Sequence, residues 1–121
     1  MTWEVEYTDP FGEWWSRLNE EEQDSVASAV RVLQMKGPNL PHPYSSGIKK
    51  SRHNHMRELR IQHRGTPYRV LYAFDPRRVA ILLLGGTKKG NALWYDKTVP
   101  LADRLYDEHL QDLETEDPPN G

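Results

Sequence analysis

Near the start of the chain Trp3, Val5 and Tyr7 alternate with Glu4 and Glu6, which predicts a short strand over residues 2–8 with one apolar face. Asp9 followed by Pro10 reads as an N-cap with proline at the first helical position, opening a short helix through Trp14, Trp15 and Leu18. A second helix is signalled by a capping box, Asn19 with Glu22 three residues on. Acidic residues fill its first turn, where the helix dipole favours them, and Gly37-Pro38 ends it. Val26, Val30 and Leu33 recur inside it at helical spacing, so this helix is amphipathic and roughly 27 Å long at 1.5 Å per residue.

Residues 37–55 have no regular period and are rich in proline, glycine and serine, so they read as a long loop. Three strand-like runs follow: Met56 to Arg64, Tyr68 to Phe74 and Val79 to Leu84. Gly65-Thr66-Pro67 and Asp75-Pro76-Arg77-Arg78 join them as hairpins of an antiparallel meander. The third run is apolar on both faces and is expected at the buried centre. Gly85 to Asn91 reads as a polar, glycine-rich turn leading to Leu93-Trp94-Tyr95. After Pro100, Ala102, Leu105, Tyr106, His109, Leu110 and Leu113 share one helical stripe. The expected fold class is α+β: an N-terminal strand and two helices packed on an antiparallel sheet of four to five strands, plus a C-terminal helix. In this arrangement the helices cover one face of the sheet and leave the other free. Residues 1–113 form one domain, and the acidic 114–121 is expected to be a disordered tail.

Composition narrows the class. The chain's 121 residues suffice for one modest core, and the lack of cysteine excludes disulfides, thiolate metal sites and cysteine catalysis. With neither a basic-then-apolar leader nor a membrane-length apolar run, a cytoplasmic protein is expected. Charge adds more. Lys49 to Lys97 holds twelve Lys/Arg against three Asp/Glu, and the flanks hold four against fifteen. The net charge of −2 therefore hides a basic middle of +9 and acidic flanks of −11, and an anion is the natural ligand of the former.

Within the basic middle, Leu59 and Ile61 point one way and Glu58, Arg60, Gln62 and Arg64 the other, because side chains alternate along a strand. Arg69 stands among Tyr68, Val70, Leu71 and Tyr72, where an unpaired guanidinium would be costly. Either Glu58 pairs with it or it awaits an anionic ligand, and the two are compatible. Lys88 and Lys89 sit in the glycine turn, where free backbone N–H groups could also meet an anion; a solvated hairpin turn is the plain alternative. Trp94 and Tyr95 could stack on bases, although an aromatic taken singly is more often core than platform. Lys49, Lys50 and Arg57 extend the positive surface. His55 and His63 are candidates for proton transfer or RNA contact, against a bland surface role. His53 and His55 without nearby carboxylates make an incomplete metal site, so neither metal nor cofactor is expected.

The series Met56-Arg57-Glu58-Leu59-Arg60, Tyr68-Arg69-Val70-Leu71-Tyr72 and Gly86-Thr87-Lys88-Lys89-Gly90-Asn91 with Trp94-Tyr95 resembles the RelE/HigB superfamily of type II toxins, in its phage-derived HigB-like branch. The resemblance runs over roughly residues 2–113. It implies a RelE-like fold and metal-independent endoribonuclease action on mRNA in the ribosomal A site. It also implies neutralisation by a cognate antitoxin, of helix-turn-helix type and encoded in the same operon, within a hetero-oligomer. Carried onto this sequence, it makes Arg69 the arginine that binds the scissile phosphate, Lys88 or Lys89 the basic residue after the glycine turn, and Tyr95 a stacking or proton-transfer group, with Arg60 adding charge. Two alternatives stand beside it: a non-enzymatic, ParE-like inhibitor of DNA gyrase, and an inactive binding module of the same fold.

Overall fold

The computed structural model describes residues 2–88 and 93–116. In chain order the elements are β1 (Val5–Tyr7), α1 (Asp9–Arg17), α2 (Glu20–Lys36), a 3-10 turn (Gly37–Asn39), β2 (Ser45–Gly47), β3 (Arg57–His63), β4 (Thr66–Phe74), β5 (Ala80–Thr87) and α3 (Trp94–Glu116). The strands form one five-stranded sheet in the order β1-β5-β4-β3-β2. Strands β2 to β5 are antiparallel neighbours, but β1 runs parallel to β5 with Val5 opposite Ala80. The sheet is therefore mixed rather than purely antiparallel. The reason is the connection: α1 and α2 lie between β1 and the meander, and a helical crossover can bring a strand back in the parallel sense.

Local signals set the helix ends. Thr8, not Asp9, caps α1, its Oγ1 accepting from the Phe11 N–H at 3.2 Å while it donates to the Leu83 carbonyl at 2.7 Å. The Asn19 capping box is complete: its side chain accepts from the Glu22 N–H, and the Glu22 carboxylate accepts from the Asn19 N–H, both at 2.8 Å. Gly37 ends α2 at φ +59°, a conformation that favours glycine. A Cβ there would also lie 2.4 Å from the Trp3 ring.

The core has two layers, one on each face of the sheet. Leu59, Ile61, Tyr68, Val70, Tyr72, Ala80 and Leu82 pack against Phe11 of α1 and Val26 and Leu33 of α2. On the opposite face Leu71, Ala73, Ile81 and Leu83 pack against Trp94, Val99, Ala102 and Tyr106 of α3. The expected free face is thus covered along much of its length. This agrees with the double-sided apolar pattern of the third strand run, since a strand buried on both faces needs a layer on each. A register shift opposite Leu71/Tyr72, where Leu84 and then Leu82 are the partners, leaves Leu83 as the extra residue of a bulge.

Three more expectations change. Helix α3 begins at Trp94, so Pro100 lies inside it. Burial of Trp94 and Val99 outweighs the hydrogen bond that Pro100 cannot donate. The same helix reaches Glu116, past the boundary drawn at residue 113; residues 117–121 lie outside the described range. Gly85 and Gly86 belong to β5 rather than to a turn. A Cβ on Gly85 would come 2.3 Å from the Trp14 ring and one on Gly86 2.8 Å from Trp94 Nε1, so each glycine makes room for a tryptophan. No helix among the described residues is long and apolar enough to cross a membrane.

Candidate functional site

Alternation along β3 sends Leu59 and Ile61 to the α1/α2 side, so Glu58 and Arg60 emerge on the α3 side. Arg69 on β4 shares that side with Leu71, and the register places Arg60 directly opposite Arg69. Two like charges in this position repel. Glu58 relieves them: Arg60 Nη1 donates to its Oε2 at 3.1 Å, and Arg69 Nε stands 3.6 Å from its Oε1. Glu58 and Arg69 are each 5% exposed, so this is a buried charge cluster rather than a surface pair.

The carboxylate is further held by Ser46 Oγ from β2, donating at 2.6 Å, and by the Tyr95 hydroxyl from α3. Arg69 is less well satisfied. Its Nη1 donates to the Tyr68 carbonyl at 3.0 Å, but its buried Nε has no hydrogen-bond partner among the described residues. A charged donor left in this state has capacity for an additional acceptor. Burial pushes the Tyr95 hydroxyl above its ordinary pKa, and the hydrogen bond and charge of Glu58 push it further, with Arg69 acting in the opposite sense. Lys88 Nζ lies 5.2 Å from the Tyr95 ring centroid, a cation–π distance. Glu58 and Tyr95 line a cleft with Lys49, Lys50 and Asp96, while Arg60 and Arg69 line an adjacent one with Tyr44 and Gln62.

Of the residues singled out in the sequence, Arg69, Arg60, Lys88 and Tyr95 come together, with Lys49 and Lys50 at the margin. Lys50 forms an ion pair with Asp96. Lys89 lies outside the described residues. Five others are elsewhere. Arg57 projects toward the opposite face, its Nε donating to Ser45 Oγ at 2.8 Å. His63 also faces the α2 side, with its Nδ1 2.7 Å from Ser25 Oγ. His55 Nε2 lies 3.0 Å from the Tyr106 hydroxyl and His53 Nε2 2.8 Å from Asp107, where both pin the loop before β3 onto α3. Trp94 is buried against Gly86 and belongs to the core, not to a stacking platform.

Sequence reasoning gave Glu58 only a pairing role and passed over Ser46. The identity of a cross-strand hub depends on register, and Ser45-Ser46-Gly47 has no strand propensity to reveal β2. Among the described residues no three His, Asp or Glu side chains are grouped to hold a metal ion.

A mixed five-stranded sheet with two helices on one face and a third on the other is the RelE-like fold, as two solved structures show. The E. coli toxin RelE, solved in the free state as a double mutant, matches 94% of this chain and 100% of its own with a TM-score of 0.55 at 11% identity. A chain of the RelBE2 toxin–antitoxin complex of Mycobacterium tuberculosis matches over 72% of this chain and 99% of its own, with a TM-score of 0.53 at 18% identity. The family described as "Phage derived protein Gp49-like (DUF891)" matches residues 13–107, and the chain belongs to it. Two relatives from M. tuberculosis (strain ATCC 25618 / H37Rv) carry toxin names. The one named for toxin HigB3 is 46% identical over 92 residues, covering 75% of this chain and 79% of the relative. The one named for toxin HigB2 is 39% identical over 107 residues, which is 87% of this chain but only 53% of that longer relative.

Proposed function

We propose that this protein is the toxin of a type II toxin–antitoxin system, acting as a metal-independent endoribonuclease on mRNA in the ribosomal A site and held in check by a cognate antitoxin. The observation that supports the reading is the convergence of Arg60, Arg69 and Tyr95 on one buried carboxylate, with Lys88 over the Tyr95 ring and Arg69 Nε in an ion pair but without a hydrogen bond. Family membership supports the toxin part, as the relatives it brings are named for HigB toxins.

The chemistry suits these groups. Attack of a ribose 2′-hydroxyl on the neighbouring phosphate builds negative charge on the phosphoryl oxygens, and fixed cations stabilise that charge best where water is scarce. Arg69 takes the scissile phosphate, Arg60 and Lys88 add positive field, and Lys49 and Lys50 guide the adjoining backbone. The protein works in the cytoplasm, where ribosome, mRNA and antitoxin meet.

The reading is tested by inducing expression and mapping RNA 5′ ends. Cleaved mRNA with arrested growth is expected, and Arg69→Ala combined with Lys88→Ala and Lys89→Ala should restore growth while the protein still unfolds cooperatively. Growth arrest with intact mRNA would remove the nuclease assignment. Loss of supercoiling by purified gyrase would then point to the ParE-like alternative.

A further inference from the structure

We propose that Tyr44 and Gln62 form a nucleobase subsite beside the arginine pair, in which the Tyr44 ring stacks on the base next to the scissile phosphate and the Gln62 amide reads that base's edge. This inference rests on the nuclease reading above and adds to it the residues that choose where the RNA is cut. It starts from the register. Ser45 is opposite Leu59, and the Tyr44 carbonyl accepts from the Arg60 N–H at 2.9 Å, so the pairing runs one residue past β2 and sets Tyr44 opposite Arg60. Arg60 is in turn opposite Arg69, and Arg69 opposite Gly86. Residues directly opposite one another point to the same face, so Tyr44, Arg60 and Arg69 form one row on the α3 side. Trp94 roofs the row at its Gly86 end, and α3 packs chiefly on β5 and β4. At the β2 and β3 end a cleft of about 330 Å³ remains, lined by Tyr44, Arg60, Gln62 and Arg69.

Tyr44 is the member of this row that packing does not explain. Four tyrosines of the chain have their hydroxyls engaged: Tyr68 with Glu22, Tyr72 with Ser45, Tyr95 with Glu58 and Tyr106 with the Phe74 carbonyl. Tyr7 is exposed, but it lies on β1 at the opposite edge of the sheet. Tyr44 is 55% exposed beside the two arginines, and neither its hydroxyl nor the exposed Gln62 amide has a hydrogen bond among the described residues. The backbone under the ring is nevertheless fixed. The Pro41 carbonyl accepts from the N–H groups of Tyr44 and Ser45 at 3.0 and 3.1 Å, and the buried Ser45 and Tyr72 hydroxyls, 2.6 Å apart, anchor the start of β2. An exposed ring held firmly beside cations is a platform for an unpaired base, and stacking tolerates any base because each has a π face. Discrimination comes from the amide, which offers a donor and an acceptor together to the edge of a splayed-out base. The set suits a nucleotide better than a free anion, since the arginines take the phosphate and the adjoining cleft takes the base attached to it.

The test uses the full-length protein and a short mRNA, free and in the ribosomal A site, with a 2′-deoxy group at the cleaved nucleotide so that binding alone is read. Each RNA is made with all bases present and with one base removed, on the 5′ or the 3′ side of the scissile phosphate. Tyr44→Ala should weaken binding of the intact RNA by about 10-fold or more, as the loss of one stacked base does. On the RNA lacking the base at one of the two positions, the same substitution should cost nothing further. Tyr44→Phe keeps the ring and should stay within a few-fold of wild type. In cleavage of mRNA randomised at that position, Gln62→Ala should flatten the preference among bases by about 10-fold, the discrimination a two-bond side-chain contact gives. Both side chains are exposed and make no hydrogen bond among the described residues, so the variants should unfold at the wild-type temperature. A Tyr44→Ala loss that is equal with and without either base, or no loss at all, would overturn the subsite while wild-type cleavage keeps the nuclease reading. An unchanged base preference in Gln62→Ala overturns the reading role of the amide. A wild-type protein that shows the Tyr44 coupling in binding but cleaves neither free nor ribosome-bound RNA removes the nuclease reading and retains the base subsite.

Discussion

Two residue types do more in this protein than their local patterns suggest. Gly86 is Arg69's cross-strand neighbour and leaves space for the Trp94 ring, so the ring's seat and the neighbouring Tyr95 depend on a missing side chain. Gly86→Ala should displace Trp94, cost about 1–3 kcal/mol as overpacking does, and reduce cleavage without touching a charged group. Denaturant unfolding alongside a cleavage assay checks both parts. Asp75 is a structural counterpart to Glu58. Burial pushes its carboxyl up, but hydrogen bonds from His109, Arg77 and the Val79 N–H outweigh this and hold it below the ordinary carboxylate range. A carboxyl depressed on folding contributes its full stabilisation above the unfolded value of about 4 and loses it as pH falls through the lower folded value. Wild-type stability should thus drop on acidification below about pH 4. Asp75→Asn should be less stable at neutral pH, and its deficit should shrink toward pH 2 in denaturant titrations.

At the scale of elements, the helices follow local rules while α3 follows tertiary ones. Asn19→Ala removes one half of the α2 capping box and should cost about 1 kcal/mol. Gly37→Ala should cost more, because it sets a Cβ both in the left-handed region and against the Trp3 ring. Thermal unfolding of the two variants should rank them in that order. Helix α3 is clamped from outside: buried Asp103 accepts from the Arg52 N–H at 3.1 Å and from Ser51 Oγ, and Asp107 accepts from Arg52 Nη2 at 2.6 Å. Tyr106 joins the clamp by donating to the Phe74 carbonyl at 2.8 Å. The loop that reads as irregular in sequence is therefore ordered by α3, and α3 in turn brings Tyr95 to Glu58. Asp103→Ala should loosen that loop and lower cleavage more than its distance from the site implies, with faster amide exchange over residues 49–56 as the observable.

Across the whole molecule, charge is sorted more finely than by halves. Part of the basic middle is consumed internally: Arg52 by Asp107, Arg77 by Asp75 and Glu6, and Arg64 by Glu21. What lines the two clefts is a smaller set, Lys49, Arg60, Arg69 and the Asp96-paired Lys50, with Lys88 over the Tyr95 ring. RNA affinity should fall as salt rises with a slope set by a few phosphate contacts, not by all twelve basic residues of the segment. A salt titration of deoxy-substituted RNA binding measures that slope directly.

Much of this fold was legible before any tertiary information. The α2 capping box and stop, the three meander strands and the doubly buried third strand follow from short-range chemistry and side-chain alternation, which act within a few residues. The basic character of the middle was also visible there, and Arg60, Arg69, Lys88 and Tyr95 could be named as candidates, though not their placement around Glu58. What only the tertiary structure decided was mutual placement. The parallel pairing of β1, the strand hidden in Ser45–Gly47, the start of α3 ahead of Pro100 and the assembly of four elements around Glu58 all depend on contacts between residues far apart in the chain. The physical reason is that burial and register, not propensity, fix those positions, and neither is a property of any one segment.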